Sequence, residues 1–307
     1  MKIQLYLFLL LITIQIQGRS QGCSDAGFCT IGSMQHQVDG NDTTLHQSLS
    51  VILTNGIGDE GVYVFTPAVQ YENQINRYLL VQAKITANYA SGNLGDVSGL
   101  GDFYLTGSYS FIKNKKWSKV LTAALKLPLD NSNLKLQDKS LPMGYQSSLG
   151  TVDFIAGFTI RSSRWIFSLG YQQPLNTPNG NTFLPSDWNT AEANKFSPTN
   201  KFDRKADVLL KAGYKINALE NLHFNLGLLA IYHLANDTYN DLSISDDPIT
   251  LKDSDGLTLN GTLNLVYKMS SRFSLGLTAG TPLIVRDLRP DGLTRAWVIS
   301  PELIYKF

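Results

Sequence analysis

The stretch TRAWVISPELIYKF, Thr294 to Phe307, decides the fold. Counting back from the carboxyl end, Phe307, Tyr305, Leu303, Pro301, Ile299 and Trp297 take every second position, and Lys306, Glu302, Ser300 and Ala296 fall between them. Successive side chains of a strand point to opposite faces, so this is a strand with one apolar face and one mixed, mostly polar face. Such a strand can edge a soluble sandwich or close a ring. The preceding segments separate the two by whether they repeat the pattern.

They repeat it. The alternation predicts strands near 47–55, 62–72, 77–90, 102–113, 117–130, 148–161, 164–174, 204–217, 221–233, 257–269, 272–284 and 294–307, about twelve in all. Tight joints at Asn73 to Asn76, Asn114 to Lys116, Ser162 with Ser163, Ala218 to Glu220 and Ser270 with Ser271 alternate with longer ones. The longer ones are Gly56 to Gly61, Ser91 to Gly101, Asn131 to Ser147, Leu175 to Asp203, Ala235 to Gly256 and Arg286 to Leu293. A sandwich has no reason to sort its loops by parity, whereas a transmembrane barrel has short turns at one rim and long loops at the other.

The aromatic residues agree. On the apolar phase, Tyr71, Phe111, Trp117, Trp165, Tyr214, Phe224, Tyr267, Phe273 and Tyr305 stand beside short turns. Tyr63, Tyr89, Phe103, Tyr171, Tyr232 and Trp297 stand toward the long loops, with aliphatic residues such as Leu210, Leu259, Leu263 and Leu265 between the sets. Two aromatic girdles around an aliphatic band match a bilayer, because amphipathic rings settle at headgroup level. Hydrocarbon offers backbone groups no partner, so strands cross only when every edge is paired. The expected fold is all-β: a single closed antiparallel transmembrane β-barrel over 47–307, with short periplasmic turns and long extracellular loops. Its last strand then resembles the closing strand of bacterial outer membrane barrels, which implies that Phe307 is read by the barrel-assembly machinery.

The start of the chain fits export. MKIQLYLFLLLITIQIQGRS has Lys2, an apolar core from Leu5 to Ile14, and small residues at Gly18 and Ser20. It reads as a signal peptide over 1–20, too short in its apolar core to span, cut after Ser20. Removing it leaves 24 of the 26 basic residues against 25 acidic ones, near −1, so no basic surface for nucleic acid is expected. Residues 21–46 are polar and read as a segment that hangs in the periplasm or folds into the barrel mouth. They carry the two cysteines, Cys23 and Cys29. In an exported chain this close pair favours a disulfide ring. The other reading, a lipidated Cys23, lacks the aliphatic residue that normally precedes such a cysteine. No histidine completes a metal-ligand spacing there, and neither metal nor cofactor is expected.

The inward phase supplies the candidate lumen: Lys84, Lys126, Asp130, Asp153, Asp207, Lys211, His223 and Glu302, among Thr, Asn and further Lys. Both signs occur. In one reading Lys84, Lys126 and Lys211 pair with Asp153, Asp207 and Glu302 and fill the lumen. In the other, a solvated passage remains. Ser98 to Asp102, Ser-Gly-Leu-Gly-Asp, leads into a strand and resembles barrels related to the long-chain fatty acid transporter, in particular the branch associated with phenol and aromatic-compound degradation (the meta-pathway). That resemblance implies passive uptake of a small molecule, apolar ones included, by a monomer whose other partners are the lipids of a Gram-negative outer membrane. An adhesive barrel with partner-binding loops is the alternative, and a lipid hydrolase the third. For catalysis, His223 and His233 share one strand face about 33 Å apart at about 3.3 Å per residue. Asn225 stands where phospholipase barrels place a serine, so no enzyme is expected.

Overall fold

A computed structural model describes residues 47–113, 117–293 and 295–307. The signal peptide, the 21–46 segment and the Cys23/Cys29 pair lie outside them. Twelve antiparallel strands close a barrel in one continuous ring. They are β1 (Gln47–Gly58), β2 (Tyr63–Gln74), β3 (Leu79–Gly92), β4 (Gly95–Lys113) and β5 (Trp117–Pro128). After the small hairpin β6 (Lys135–Leu136) and β7 (Lys139–Ser140) come β8 (Asp153–Ser162), β9 (Trp165–Pro174), β10 (Asp207–Leu219) and β11 (Leu222–His233). A second hairpin, β12 (Thr238–Asp241) and β13 (Ser245–Thr250), precedes β14 (Gly256–Lys268), β15 (Phe273–Ile284) and β16 (Arg295–Lys306).

Closure is made by β1 against β16, in register from Ser48 opposite Lys306. The backbones of Gln47 and Phe307 exchange hydrogen bonds at the short-turn rim. The burial pattern alternates residue by residue, as in β9, where Trp165, Phe167, Leu169 and Tyr171 are exposed and Ile166, Ser168 and Gln172 are buried. A closed ring has only two faces, so the buried phase points inward. The aromatic residues of the short-turn rim form a belt of ring contacts: Tyr71 with Phe307, Phe307 with Tyr305, and Tyr305 with Phe273, across the seam between β2 and β15.

Two of the expected long loops are short. The chain passes from β1 to β2 through one 3-10 turn, Asp59–Gly61. At the other, β3 and β4 pair up to Gly92 opposite Gly95, so Ser91 to Gly101 is strand on both sides of a two-residue turn at Asn93 and Leu94. The stretch is glycine-rich and lacks lipid-facing alternation because it rises beyond the band, where Leu94 and Val97 pack on loop residues. Gly95, at φ +123°, takes a conformation that side chains rarely adopt, and a Cβ there would meet Leu136. The Ser98–Asp102 motif is likewise not a turn. It sits where the β3–β4 register shifts between Ile85 and Ala87, a bulge that kinks the hairpin.

Candidate functional site

The remaining four connections, 129–152, 175–206, 234–255 and 285–293, leave one rim and fold over it. Their apolar residues form two buried clusters. Leu141, Tyr145, Phe183 and Ala193 pack with Val62, Val64, Ala90 and Leu94 of the rim. Met143, Leu149, Phe202, Tyr239, Leu251 and Leu293 bring all four connections together. The aromatic residues of 175–206 thus bind neighbouring loops as well as their own: Trp188 Nε1 donates to the Ser140 carbonyl (2.6 Å), and Phe196 meets Tyr145 edge to face. Burial raises the Tyr145 hydroxyl pKa, against the Leu94 N–H that donates to it.

The cap also reaches down the inner wall. Asn88 of β3 donates to the Ser147 carbonyl (2.7 Å), and Ser148 donates to Asp102 of β4 (2.6 Å). Gly99 and Gly101 make this approach feasible, because a Cβ on either would strike Ser147 Oγ or Thr86 Oγ1. Across the mouth lies a buried ionic network. Arg204 binds Asp207 (2.5 Å) and Asp291 (3.3 Å), and Arg286 binds Asp291 and the Ser254 carbonyl. His233 meets Asp207 through Nδ1 (2.6 Å) and Asp237 through Nε2 (2.8 Å). Burial works to raise the Asp291 carboxyl, and the Arg286 and Arg204 guanidiniums outweigh it, holding Asp291 well below the usual carboxylate range. Burial likewise opposes the Arg204 charge, and the surrounding carboxylates of Asp207, Asp291 and Asp237 overcome it.

Below the cap, the wall is lined by Ser, Thr, Gln, Asn and Lys that bond to neighbours along a strand or on the adjoining one. Gln82 donates to Gln70 (2.6 Å), Gln70 to Glu72 (3.0 Å), and Thr159 meets Ser168 (2.9 Å). One patch of the inner wall is apolar: Ala124, Ile155, Leu209 and Leu229, with Ile231 beside them.

Of the sequence-derived candidates, Lys126 and Asp153 are fully buried and paired at 2.9 Å, facing each other in the β5–β8 register. Lys84 is buried on β3, with its Nζ 6.0 Å from the Tyr104 ring centre. Asp207 is buried, but its partners are Arg204 and His233 instead of a lumen lysine. Lys211 and Glu302 are half-buried on the inner faces of β10 and β16. His223 lies near the short-turn rim against Asn217 (3.1 Å). Asp130 is the exception. The β4–β5 ladder ends at Pro128, and Asp130 turns back to accept the Ser132 N–H (2.9 Å) in the loop, so it is not part of the strand wall. Sequence reasoning missed Arg161, although it shares the phase of Asp153 on β8, and it missed Arg204, Asp237, Arg286 and Asp291, which lie in loops with no period to reveal them.

No family model matches the chain, and no curated protein matches it. Among solved structures, an outer membrane channel from Pseudomonas putida F1 is similar at a TM-score of 0.61 and 13% identity, over 88% of this chain and 100% of that one. More distant are the NanC porin, at a TM-score of 0.47 and 8% identity over 84% of this chain and 98% of that one, and the KdgM porin in complex with disordered oligogalacturonate, at 0.44 and 9% over 84% and 99%. At these identities the likeness is one of fold. The chain has the fold of an outer membrane β-barrel.

Proposed function

We propose that this protein is an outer membrane channel admitting a small solute, with its loop-side mouth covered by the ion-paired cap. The carrying observation is a sealed ring whose outward phase is apolar and whose inward phase is largely polar and hydrogen-bonded along the wall. Its lipid partner is the apolar outer phase, and Phe307, exposed at the closing seam, is the residue we assign to recognition by assembly machinery. The expectation of an apolar solute has support in the Ala124–Ile155–Leu209–Leu229 patch, while most of the wall suits a solute with polar groups. We assign no catalytic role: both nitrogens of His233 are held by carboxylates, which leaves neither to activate a serine.

Purified protein in planar bilayers is expected to give discrete conductance steps, and vesicles carrying it to swell in small solutes. Absence of both would remove the channel reading. It would favour the adhesive one, for which the β12–β13 hairpin, with Leu242 and Ile244 exposed at its tip, is the part of the cap to test for a partner.

A further inference from the structure

We infer that His233 is a proton-controlled latch on the cap: with both ring nitrogens protonated it ties the 234–255 connection to the barrel mouth, and loss of one proton releases that connection. Its consequence for conduction rests on the channel reading above. His233 ends β11, one residue past Tyr232 of the loop-side girdle, and is buried at the mouth. Its Nδ1 lies 2.6 Å from Asp207 Oδ1 at the start of β10, and its Nε2 lies 2.8 Å from Asp237 Oδ1 in the connection. Each carboxylate also accepts elsewhere, Asp207 from Arg204 and Asp237 from the Lys205 N–H (2.9 Å). Two acceptors on opposite sides of one ring need an N–H on both nitrogens, which only the imidazolium has. The charges around the ring close on the same condition. From 175–206 comes Arg204, and from 285–293 come Arg286 and Asp291, all buried with Asp207 and Asp237. β14 sets Gly256 opposite His233; Lys126 of β5 and Asp153 of β8 bind each other, as do Lys205 and Asp203. Arg204, Arg286 and a protonated His233 thus balance Asp207, Asp237 and Asp291, and a neutral ring leaves a buried negative charge in excess.

The two ends of the latch are unequal. When the ring gives up a proton, Asp207 still has the Arg204 guanidinium at 2.5 Å. Asp237 keeps only the Lys205 N–H on Oδ1, and its Oδ2 has no partner. The remaining ring N–H therefore stays with Asp207, and the Asp237 carboxylate, buried and facing a lone pair, is driven toward water. Asp237 is also what gathers the connection. Its N–H donates to Ser254 Oγ (2.8 Å), its carbonyl accepts the Leu251 N–H (2.9 Å), and the Ser254 carbonyl holds Arg286. Releasing it loosens the base of the β12–β13 hairpin at both ends. Burial opposes the His233 charge, and the bonds to Asp207 and Asp237 outweigh it, so the ring holds its proton above the usual histidine value of about 6.5. The latch is therefore at full strength below about pH 6.5 and is lost as pH rises through the higher folded value. Between the two, opening releases one proton and grows by up to about tenfold per pH unit.

Two measurements on the full barrel in lipid nanodiscs test the latch separately from conduction. Nitrogen-15 spectra of ring-labelled histidine, with His233 assigned by its loss in His233→Gln, should show both ring nitrogens protonated at pH 7.5, where an ordinary histidine is only about one-tenth protonated. Amide exchange in 234–255, corrected for the intrinsic effect of pH, should be at least about tenfold faster at pH 8.5 than at pH 6. Asp237→Asn separates a latch from a merely structural contact: its amide can donate to a neutral ring, and Arg204 and Arg286 then balance Asp207 and Asp291 without the proton. That variant should stay protected at pH 8.5 as at pH 6, although it has lost a carboxylate. In planar bilayers the open fraction of wild type should rise over the same pH range, and that of Asp237→Asn should not. A neutral ring at pH 7.5, exchange in 234–255 that ignores pH, or an Asp237→Asn variant that opens at pH 8.5 like wild type overturns the latch. A latch that responds in spectra and exchange in a protein that never conducts supports the inference and sinks the channel reading instead.

Discussion

Asp291→Asn tests whether the cap is held by its ionic network. Asp291 is buried and is the shared anion of Arg204 and Arg286. The variant keeps a carbonyl oxygen for one guanidinium but removes the charge. Arg204 retains Asp207, whereas Arg286 keeps only the Ser254 carbonyl among its described partners. Breaking a buried ion pair on one side costs about 3 to 5 kcal/mol, and the retained acceptor places this case near about 3. At about 1.4 kcal/mol per tenfold, local opening of 285–293 becomes about 100-fold more frequent. Amide hydrogen exchange in lipid nanodiscs reads this directly: faster exchange in 285–293 and around Ser254, with unchanged protection in β5 to β11. Because the folded Asp291 carboxyl is depressed, its contribution is present in full above the unfolded value of about 3.9 and is lost only as pH falls through the lower folded one. The share of this loop's protection that comes from Asp291 should therefore hold from pH 8 down to about pH 4. If the Asp291→Asn variant exchanged like wild type, the network would not be what secures the cap.

Leu210→Arg places a charge on the outer phase of β10 between the aromatic girdles and should cost about 2 to 4 kcal/mol in denaturant-driven unfolding from lipid vesicles; a neutral result would mean that Leu210 does not face hydrocarbon. Gly292→Ala, at φ +67° with its added Cβ driven into the Gly144 backbone nitrogen, should loosen the cap by about 1 to 3 kcal/mol. Gly107→Ala has open space around it, and its protease sensitivity should stay at the wild-type level. Lys126→Met should destabilise the barrel by about 3 to 5 kcal/mol, and the added change Asp153→Leu should recover most of it, as a double-mutant cycle in vesicles would show.

The strands were readable because a membrane barrel writes its two environments into a period of two. Alternating runs such as Trp165 to Gln172 and the terminal Arg295–Lys306 strand leave no other reading. The β3–β4 extension was hidden because beyond the bilayer that code stops; its glycines are there for close contact with Ser147 and Leu136, not for a turn. Arg161 was legible from phase alone. The cap was not: Arg204 and Asp291 are 87 residues apart, on connections whose polar residues follow no period, and only the closure of the ring brings them together.

Buried charge in a narrow barrel could be satisfied across the axis or along the wall, and the choice decides what can open. Lys126 and Asp153 sit on adjoining strands, in register, so their attraction strengthens the wall without drawing opposite sides together. Gln82, Gln70 and Glu72 form a similar run over β3 and β2. Asp207 turns upward to Arg204, and Arg204 joins Asp291 in the next connection, so this charge belongs to the cap. The twelve-strand ring is rigid because each of its backbone edges is paired, and a change of bore would break ladders on both sides of a strand. The cap rests on a few ion pairs and two modest apolar clusters, each far less costly to lose than a strand. On the proposed channel function, any transition between closed and conducting states should therefore be sought in the four connections, with the barrel as the fixed frame.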